Sequence, residues 1–376
     1  MRTRKGTCYT SPTGGCRRDL KRGREGATEC SGSKRQVRMN HLDALPDDLL
    51  LSILVKLSSS AGRPADLISA LIACKRFNEV GMQPMVLQNA STPVFAMEAS
   101  RWSDGSHRFL KKCADAGNVE ACYTLGMIRF YCLQNRGGGA SMMAKAAISS
   151  HAAALYSLAI IQFNGSGGSK KDKDLKAGVA LCARAAFLGH IDALRELGHC
   201  LQDGYGVAKN VAEGRRFLVQ ANARELASVC PKSQQKSFRF QPSSLEPWLR
   251  NLRRNTTSDP VDTFSSLQGC PLLSDFGCNV PPPESHPAVK FMVEWFNLHP
   301  PGPGLRLCSY GGCGRPETRK HEFRRCSVCG TVNYCSRACQ ALDWKIRHKN
   351  ACMPVDDWLE ADDDDDDEDY IDEEFV

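Results

Sequence analysis

Eight residues that can bind metal ions are concentrated towards the end of the sequence. They are seven cysteines and one histidine, in the order Cys308, Cys313, Cys326, Cys329, Cys335, Cys339, His348 and Cys352. Thiolate and imidazole are donors that zinc prefers, and a structural zinc site takes four of them. The stretch therefore predicts two tetrahedral structural zinc sites, with no ligand left over for catalysis.

The spacing of these ligands supports the same interpretation. Cys326 and Cys329 form a C-x-x-C pair, whose short loop lets both sulfurs reach one ion. The last four ligands form two pairs that are four residues apart, so the members of each pair share one face of a helix. Free buried cysteines and disulfides are the alternatives. Disulfides are disfavoured because the sequence shows no secretory signal and is expected to be intracellular.

The segments 326–329, 334–340 and 344–352 together resemble a MYND-type zinc finger, which we place at 305–352. The resemblance implies interleaved, cross-braced sites. One zinc would be held by Cys308, Cys313, Cys335 and Cys339, and the other by Cys326, Cys329, His348 and Cys352. The first pair has four intervening residues where the family usually has two, and Gly311 and Gly312 can absorb the extra length. His321 is an alternative ligand outside the pattern, and we favour Cys313.

The same resemblance implies a site for proline-rich peptides. In the MYND family the peptide-binding residues correspond to Ser336, Gln340 and Trp344 of this sequence. Gln340 and Trp344 are four residues apart and would point the same way from a helix. A Trp ring can stack on proline while an amide bonds to the peptide backbone. The alternative is that Trp344 belongs to the core of the finger.

Composition and charge indicate several segments of different character. The 376 residues suggest two or three domains, and no apolar run is long enough to cross a membrane. The net charge of +7 is unevenly distributed, because fourteen acidic residues and no Lys or Arg lie beyond residue 355, which leaves +21 for residues 1–355. We expect a disordered basic arm at 1–40 and a disordered acidic tail at 353–376. The tail is interpreted as solubilising, or alternatively as contacting a basic surface of this chain or a partner.

The basic arm carries two Lys/Arg clusters that could serve as a nuclear-import address, or simply as a solvated arm. It has no interleaved aromatic residue to stack on bases, so we expect no sequence-specific nucleic-acid binding. The expected location is the nucleus, the cytoplasm or both.

An apolar, helix-forming segment follows at 41–90. Pro46 and two acidic residues precede a stripe of leucine and isoleucine at helical spacing, and a Cys-Lys-Arg-Phe segment follows a second apolar helix. These residues resemble an F-box, a three-helix module. The resemblance implies docking on a Skp-type adaptor of a cullin ubiquitin ligase through Leu45, Pro46, Leu49, Ile53 and Leu54. The loop 58–65 is longer than in many family members. The alternative is an amphipathic helix pair that folds onto the next domain.

Residues 101–227 contain a repeated phrase rich in alanine, leucine and glycine. Two Leu-Gly copies, at 125–126 and 197–198, lie 72 residues apart, and a middle copy begins at residue 153. This is twice a 36-residue period, which predicts an α-solenoid of about three helix pairs. The pattern resembles Sel-like repeats, which are related to tetratricopeptide repeats, and Gly204-Tyr205-Gly206 matches their turn. Such a curved surface suits recognition of a protein partner; the alternative is a spacer.

Residues 228–300 are expected to form a linker with one helix near 288–298.

Together these segments predict a mainly α fold class, with an F-box, a helical solenoid and a two-zinc finger. The order of modules resembles plant F-box proteins with a MYND-type finger. It predicts a non-catalytic substrate receptor of a Skp–cullin–F-box ubiquitin ligase, which recruits an unknown protein. The alternative is a nuclear scaffold or transcriptional co-regulator that binds proline-rich peptides without any ligase. No nucleophile or cofactor-binding motif supports an enzyme.

Overall fold

The computed structural model describes residues 45–229 and 284–354; the predicted basic arm and most of the predicted acidic tail lie outside these residues. The first group of α-helices comprises α1 (Asp47–Ser60), α2 (Pro64–Ala73), α3 (Lys75–Gly81) and α4 (Pro84–Gln88). The repeat helices are α5 (Asp104–Asp115), α6 (Val119–Met127), α7 (Arg136–Ile148), α8 (Ala152–Asn164), α9 (Leu175–Phe187), α10 (Ile191–Asp203) and α11 (Val211–Val229). The remaining α-helices and β-strands in the described residues are α12 (Pro287–Leu298), β1 (Arg324–Arg325), β2 (Asn333–Tyr334), α13 (Arg337–Asp343) and α14 (Lys349–Ala351).

The first four helices form a small module around one apolar core. Its buried side chains include Leu50 and Leu54 from α1, Leu67 and Leu71 from α2, and Val80 from α3. Proline and acidic residues begin α1, and the Cys74 thiol caps α3 by accepting the Phe77 N–H. The sequence suggested three helices, and the structure contains a fourth short one, α4, which begins at Pro84. Proline favours this first helical position because its missing N–H needs no partner there.

The repeat helices are arranged as three consecutive pairs followed by α11. The second helix of each pair begins with a side-chain cap, in which Asn118, His151 and His190 accept the backbone N–H three residues further on. These caps are 33 residues apart (118 to 151) and then 39 residues apart (151 to 190). Their sum, 72, is the spacing of the two Leu-Gly copies, so the 36-residue period is the mean of two unequal units. The longer unit accommodates the loop that contains a short 3₁₀ helix at Lys170–Asp172.

Glycines allow the repeat helices to approach closely. A Cβ atom on Gly139 of α7 would lie 2.5 Å from the Phe130 backbone nitrogen and 2.7 Å from the Gly126 carbonyl oxygen. Gly126 and Gly139 therefore form a backbone contact between neighbouring helices. Gly198 and Gly214 form an equivalent contact in the last unit, where a Cβ on Gly214 would lie 2.6 Å from the Gly198 oxygen.

This contact predicts opposite effects for two alanine substitutions in α7. Gly139→Ala should destabilise the chain by about 1–3 kcal/mol, because backbone atoms must move apart to admit the methyl group. Gly137→Ala should be neutral or stabilise by up to about 1 kcal/mol, because nothing lies within 4 Å of its Cβ position. Urea unfolding of the two variants measures the difference. Equal stabilities would show that the helices do not approach as closely as described.

The helix α12 packs beside the first repeat. Its Phe291 ring meets the Trp102 ring edge-on at 5.3 Å, and its Glu294 carboxylate accepts the Ala99 N–H at 3.0 Å. His286 caps the start of the helix through the Ala288 N–H. The helix therefore covers apolar surface that the first repeat would otherwise expose.

Among the described helices, none combines the length and apolar character needed to cross a membrane.

Candidate metal centres and binding surfaces

The first group of ligands is Cys308, Cys313, Cys335 and Cys339, and all four side chains are buried. The Cys313 and Cys335 sulfurs are 3.5 Å apart, and those of Cys335 and Cys339 are 3.6 Å apart. Tetrahedral zinc with Zn–S bonds of about 2.3 Å places its sulfurs about 3.8 Å apart. The four thiols therefore fit one zinc ion.

The second group is Cys326, Cys329, His348 and Cys352. The Cys326 and Cys352 sulfurs are 3.9 Å apart, and the Cys329 sulfur lies 3.5 Å from His348 Nε2. This set fits a second zinc ion with three thiolates and one imidazole. The chain thus carries two structural zinc sites, interleaved as the family resemblance implies. His321, the alternative ligand, is exposed and belongs to neither group.

Short local structures place these ligands. The β1–β2 hairpin is antiparallel, and the connection between its strands carries Cys326 and Cys329. After Cys326, the knuckle closes through the Gly330 N–H, which bonds to the Cys326 carbonyl at 3.0 Å while Gly330 adopts a φ of 65°. Glycine reaches this left-handed region without strain. The helix α13 then begins at its cap residue Ser336, whose hydroxyl accepts the Cys339 N–H.

Arg315 lies beside the first zinc site and was not foreseen from the sequence. It is only 5% exposed, and its guanidinium donates to the Cys313 sulfur at 3.5 Å and to the Ser157 hydroxyl at 3.0 Å. Burial by itself would lower the pKa of Arg315, but the thiolates of Cys313 and Cys335 outweigh it and raise the pKa. The buried cation therefore offsets the negative charge of a four-thiolate site and ties that site to the repeat helix α8.

Further hydrogen bonds join the finger to the repeats. Asn164 of α8 donates to the Cys335 carbonyl at 2.9 Å. On α10, the Glu196 carboxylate accepts the Ala338 N–H at 3.0 Å. Because a zinc ligand and the start of α13 both bond to repeat helices, the finger is built onto the repeats and is not a separate module.

The additional residues of the longer repeat unit form another part of this junction. The loop 165–173 leaves α8 at Gly165 and contacts the finger around Thr318 and Arg319. The Gly167 N–H donates to the Thr318 hydroxyl at 2.8 Å, and the Arg319 guanidinium donates to the Gly165 carbonyl at 2.8 Å. The insertion that makes the repeat period irregular therefore holds the finger in place.

A buried ion network joins α11 to the end of the finger. The Glu225 carboxylate accepts from Arg195 at 3.2 Å and also pairs with the Lys345 ammonium group. Arg195 and Glu225 are fully buried, and Arg195 also donates to the Asn222 amide oxygen at 2.9 Å. Three elements, α10, α11 and the segment after α13, thus share one carboxylate.

The predicted peptide-binding residues do not form one exposed site. Ser336 is only 8% exposed, and its hydroxyl accepts from both the Tyr156 hydroxyl and the Cys339 N–H. The hydroxyl thus contacts α8 in this structure, and its contact with a peptide stays a prediction. Gln340 and Trp344 are half-buried. The Trp344 ring packs at 5.7 Å against the ring of the zinc ligand His348, which favours a supporting role in the finger.

The predicted adaptor-binding residues divide into two groups. Leu49 and Ile53 lie on one exposed face of α1, each 49% exposed, and Pro46, which directly precedes the helix, is also exposed. Leu54 is 2% exposed and belongs to the core of the module, so in this structure its side chain is not available to an adaptor. Leu45 precedes the helix and is half-buried.

A third cluster of possible ligands is better explained by hydrogen bonding than by a metal. Glu120 accepts from His151 Nε2 at 3.0 Å and from His286 Nε2 at 2.9 Å. Burial opposes ionisation of Glu120, but hydrogen bonds from the two imidazoles outweigh it and hold the carboxyl pKa well below its usual range. Both Nδ1 atoms accept a backbone N–H, so each ring donates to Glu120 through a proton on Nε2. Those nitrogens therefore lack the lone pair that a metal needs, and the cluster fastens α12 to the repeats.

Fold and metal sites together define a helical-repeat protein with an integral two-zinc finger and a helical module that precedes the repeats and packs on them. Family models agree, since plant tetratricopeptide repeats match residues 93–185 and the MYND finger matches residues 308–352. A solved Sel1 repeat protein from Oxalobacter formigenes is 24% identical, covers 34% of this chain and 92% of its own, and has a TM-score of 0.28.

Two relatives from Arabidopsis thaliana match most of the chain. F-box protein At1g67340 is 66% identical over 325 residues, which are 86% of this chain and 83% of the relative. F-box protein At5g50450 is 56% identical over 324 residues, 86% of this chain and 88% of the relative. The chain belongs to this family of F-box proteins, and it carries plant-type tetratricopeptide repeats and a MYND finger. Its parts are those of a protein-interaction adaptor.

Proposed function

We propose that the chain is the non-catalytic substrate receptor of a Skp–cullin–F-box ubiquitin ligase. The module α1–α4 would dock on a Skp-type adaptor, which connects to a cullin, while the joined repeats and finger hold the protein to be ubiquitinated. Rate enhancement would come from proximity, because the receptor holds the target close to the transferred ubiquitin.

The observation that carries this proposal is an apolar face on α1 that the rest of the described chain leaves uncovered. Helix α1 is apolar on two sides. One side, with Leu50 and Leu54, is buried in the module, and the other, with Leu49 and Ile53, faces outward. Exposing two large aliphatic side chains on one helix face is unfavourable, and burying them against a partner would contribute roughly 1 kcal/mol each. In a member of the F-box proteins, a Skp-type adaptor is the partner expected at this face.

The target is proposed to bind on the body formed by the repeats and the finger. A cavity of about 350 Å³ lies at their junction, with the rings of Tyr156, His190 and Tyr310 and the carboxylate of Asp192 in its lining. In this proposal the cavity receives a side chain of the target protein. The alternative of a co-regulator that binds proline-rich peptides through Ser336 is weakened by the burial of that hydroxyl.

The adaptor contact predicts a loss of binding on charge insertion. Leu49→Glu/Ile53→Glu should weaken the affinity for a purified Skp-type adaptor by roughly tenfold or more, because two carboxylates would enter an apolar interface. Isothermal calorimetry with the full chain measures this affinity.

The matched control is Ile148→Glu/Phe187→Glu, which alters two apolar side chains on the repeats that are 80% and 90% exposed. It should bind the adaptor like the unmodified chain. Full affinity in the α1 double variant would refute the docking model, and equal losses in both variants would indicate non-specific apolar binding.

A further inference from the structure

The junction of the repeats and the finger also assembles an exposed basic surface. We define the basic patch as the six exposed cations Lys170, Lys171, Lys173, Lys320, Arg324 and Arg325. The three lysines come from the loop 165–173, and the other three residues come from the segment of the finger that leads into and forms β1. These two segments are about 150 residues apart in sequence and meet because of the hydrogen bonds at Thr318 and Arg319 described above.

Three carboxylates near the patch, Glu322, Asp172 and Asp174, offset part of its charge without pairing directly with its six cations. Glu322 is buried, and its oxygens accept from the Thr318 N–H at 2.5 Å and the Thr318 hydroxyl at 2.6 Å. The Asp172 carboxylate accepts from the N–H and the hydroxyl of Ser169, at 2.6 Å and 3.0 Å. Asp174 caps α9 by accepting the Ala177 N–H. Within the described residues, none of the six cations forms an ion pair with a carboxylate.

The cations are close enough to influence one another. Partial burial together with the charges of Arg319 and Lys170 lowers the pKa of Lys173, and Arg324 contributes to the same effect. Arg325 donates to His321 Nδ1 at 2.8 Å, and an imidazole nitrogen brings no negative charge to offset the guanidinium. Like charges held together in this way repel, and a bound anion would relieve the repulsion.

The surroundings of the patch favour an acidic protein segment over nucleic acid. Non-specific binding of single strands uses exposed aromatic rings on which bases stack. The aromatic ring beside the patch, Tyr205, is half-buried and lies under the guanidinium groups of Arg324 at 6.0 Å and Arg337 at 5.3 Å. It therefore offers no free face for a base. The exposed carboxylates of Asp172 and Asp174 would also repel a continuous phosphate chain, whereas a peptide can place its acidic side chains between them.

We infer that the basic patch, formed by the repeat loop 165–173 together with the β1 segment of the finger, is a docking surface for an acidic segment of a partner protein. Carboxylates or phosphoserines of that segment would pair with the lysines and arginines. The surface acts independently of the adaptor contact on α1, so it can bind its partner whether or not a ligase assembles.

The test uses the full chain and a fluorescein-labelled twelve-residue peptide of alternating aspartate and serine, with fluorescence anisotropy at two salt concentrations. Lys170→Glu/Lys171→Glu/Lys173→Glu should weaken binding by roughly tenfold or more, and raising the salt should weaken binding to the unmodified chain. Lys320→Glu/Arg324→Glu, on the finger side, should also weaken it. The matched control Arg108→Glu/Lys112→Glu/Lys145→Glu changes three exposed cations on other repeat helices by the same total charge, and should alter affinity less than twofold.

Further probes separate the possible ligands. A phosphoserine version of the peptide that binds more tightly and keeps the dependence on the three lysines would support the patch as an anion-binding surface. A chain ending at residue 354 that binds the peptide more tightly would also support it, since the acidic residues beyond 355 would then compete for the same surface in the full chain.

Equal losses in the patch and control variants would overturn the proposal, because binding would then follow net charge. Tighter, lysine-dependent binding of a twelve-nucleotide single strand would overturn it in favour of nucleic acid. Zinc content and circular dichroism verify that each variant is folded.

Discussion

Replacing Cys313 with serine is expected to remove the first zinc ion and to unfold the finger from the repeats. A structural zinc contributes roughly 10–16 kcal/mol to the folding of a small finger, and a serine hydroxyl is a poor substitute for a thiolate ligand. The loss would also strand Arg315, a buried cation that donates to the Cys313 sulfur. Zinc content per chain should fall from two to one or fewer, and the melting temperature of the finger and the adjoining helices should fall with it.

A second cysteine provides the control for this prediction. Cys182 is fully buried in α9, and its thiol donates to the Ala193 carbonyl at 3.3 Å, so Cys182→Ser can keep this hydrogen bond and both zinc ions. Elemental analysis by mass spectrometry counts the zinc, and calorimetry measures the melting temperature. Two zinc ions in the Cys313→Ser protein would exclude this cysteine as a ligand.

The effect should differ between the two zinc sites. The first site is buried where Cys335 meets α8, whereas Cys352 of the second site is only partly buried at the end of the finger. Because the junction with the repeats involves mainly the first site, Cys352→Ser should destabilise the repeats less than Cys313→Ser. That result would show that zinc stabilises the repeats as well as the finger.

Truncating Glu225 to alanine is expected to destabilise the chain by about 3–5 kcal/mol. The substitution leaves Arg195, which is fully buried, and Lys345 without their shared carboxylate, and an uncompensated buried charge carries a cost of this size. The Asn222 amide oxygen would remain the hydrogen-bond acceptor for Arg195, but it carries no charge. Urea unfolding measures the loss of stability.

The same helix offers a matched control. Glu213 of α11 pairs with Arg216 at 3.0 Å, and the Arg216 side chain is 74% exposed. Glu213→Ala should change stability by less than about 1 kcal/mol, because exposed ion pairs contribute little. Losses of similar size in the two variants would show that the Glu225 network is not buried as described.

These contacts give the receptor model a physical basis. The finger shares hydrogen bonds with α8 and α10 and an ion network with α11, so it is held in a defined orientation relative to the repeat helices. A target that contacts both the repeats and the finger would then bind to one continuous surface. Holding a substrate in a defined orientation is the means by which a non-catalytic receptor can accelerate transfer.

Several features could be predicted from the sequence because they depend on residue type and spacing. The zinc ligands are distinctive side chains. A structural zinc ion needs four of them, whatever the surrounding structure is. Small residues at recurring positions predict the repeat helices. The sequence indicates only the mean repeat length, because the loop 165–173 lengthens one unit. The helix predicted near 288–298 is present as α12.

The direction in which a side chain points could not be predicted from the sequence. Helix α1 is apolar on two faces, so periodicity could not distinguish Leu49 and Ile53, which are exposed, from Leu54, which is in the core. Likewise, Ser336 follows a zinc ligand at a position where a helix begins, but its burial depends on α8, nearly 180 residues earlier in the chain. Arg315 had no recognisable spacing and acquires its role from the Cys313 sulfur beside it and from Ser157 on α8.

The sequence by itself thus determined which residues hold zinc, which class of repeat is present and to which family the modules are related, because these follow from local chemistry and periodicity. Only the tertiary structure decided that the finger and repeats are joined, that Glu225 is shared between three elements, and that the loop 165–173 brings its lysines to the arginines of β1. Contacts between residues more than a hundred positions apart depend on how whole helices pack, and no short sequence pattern records them.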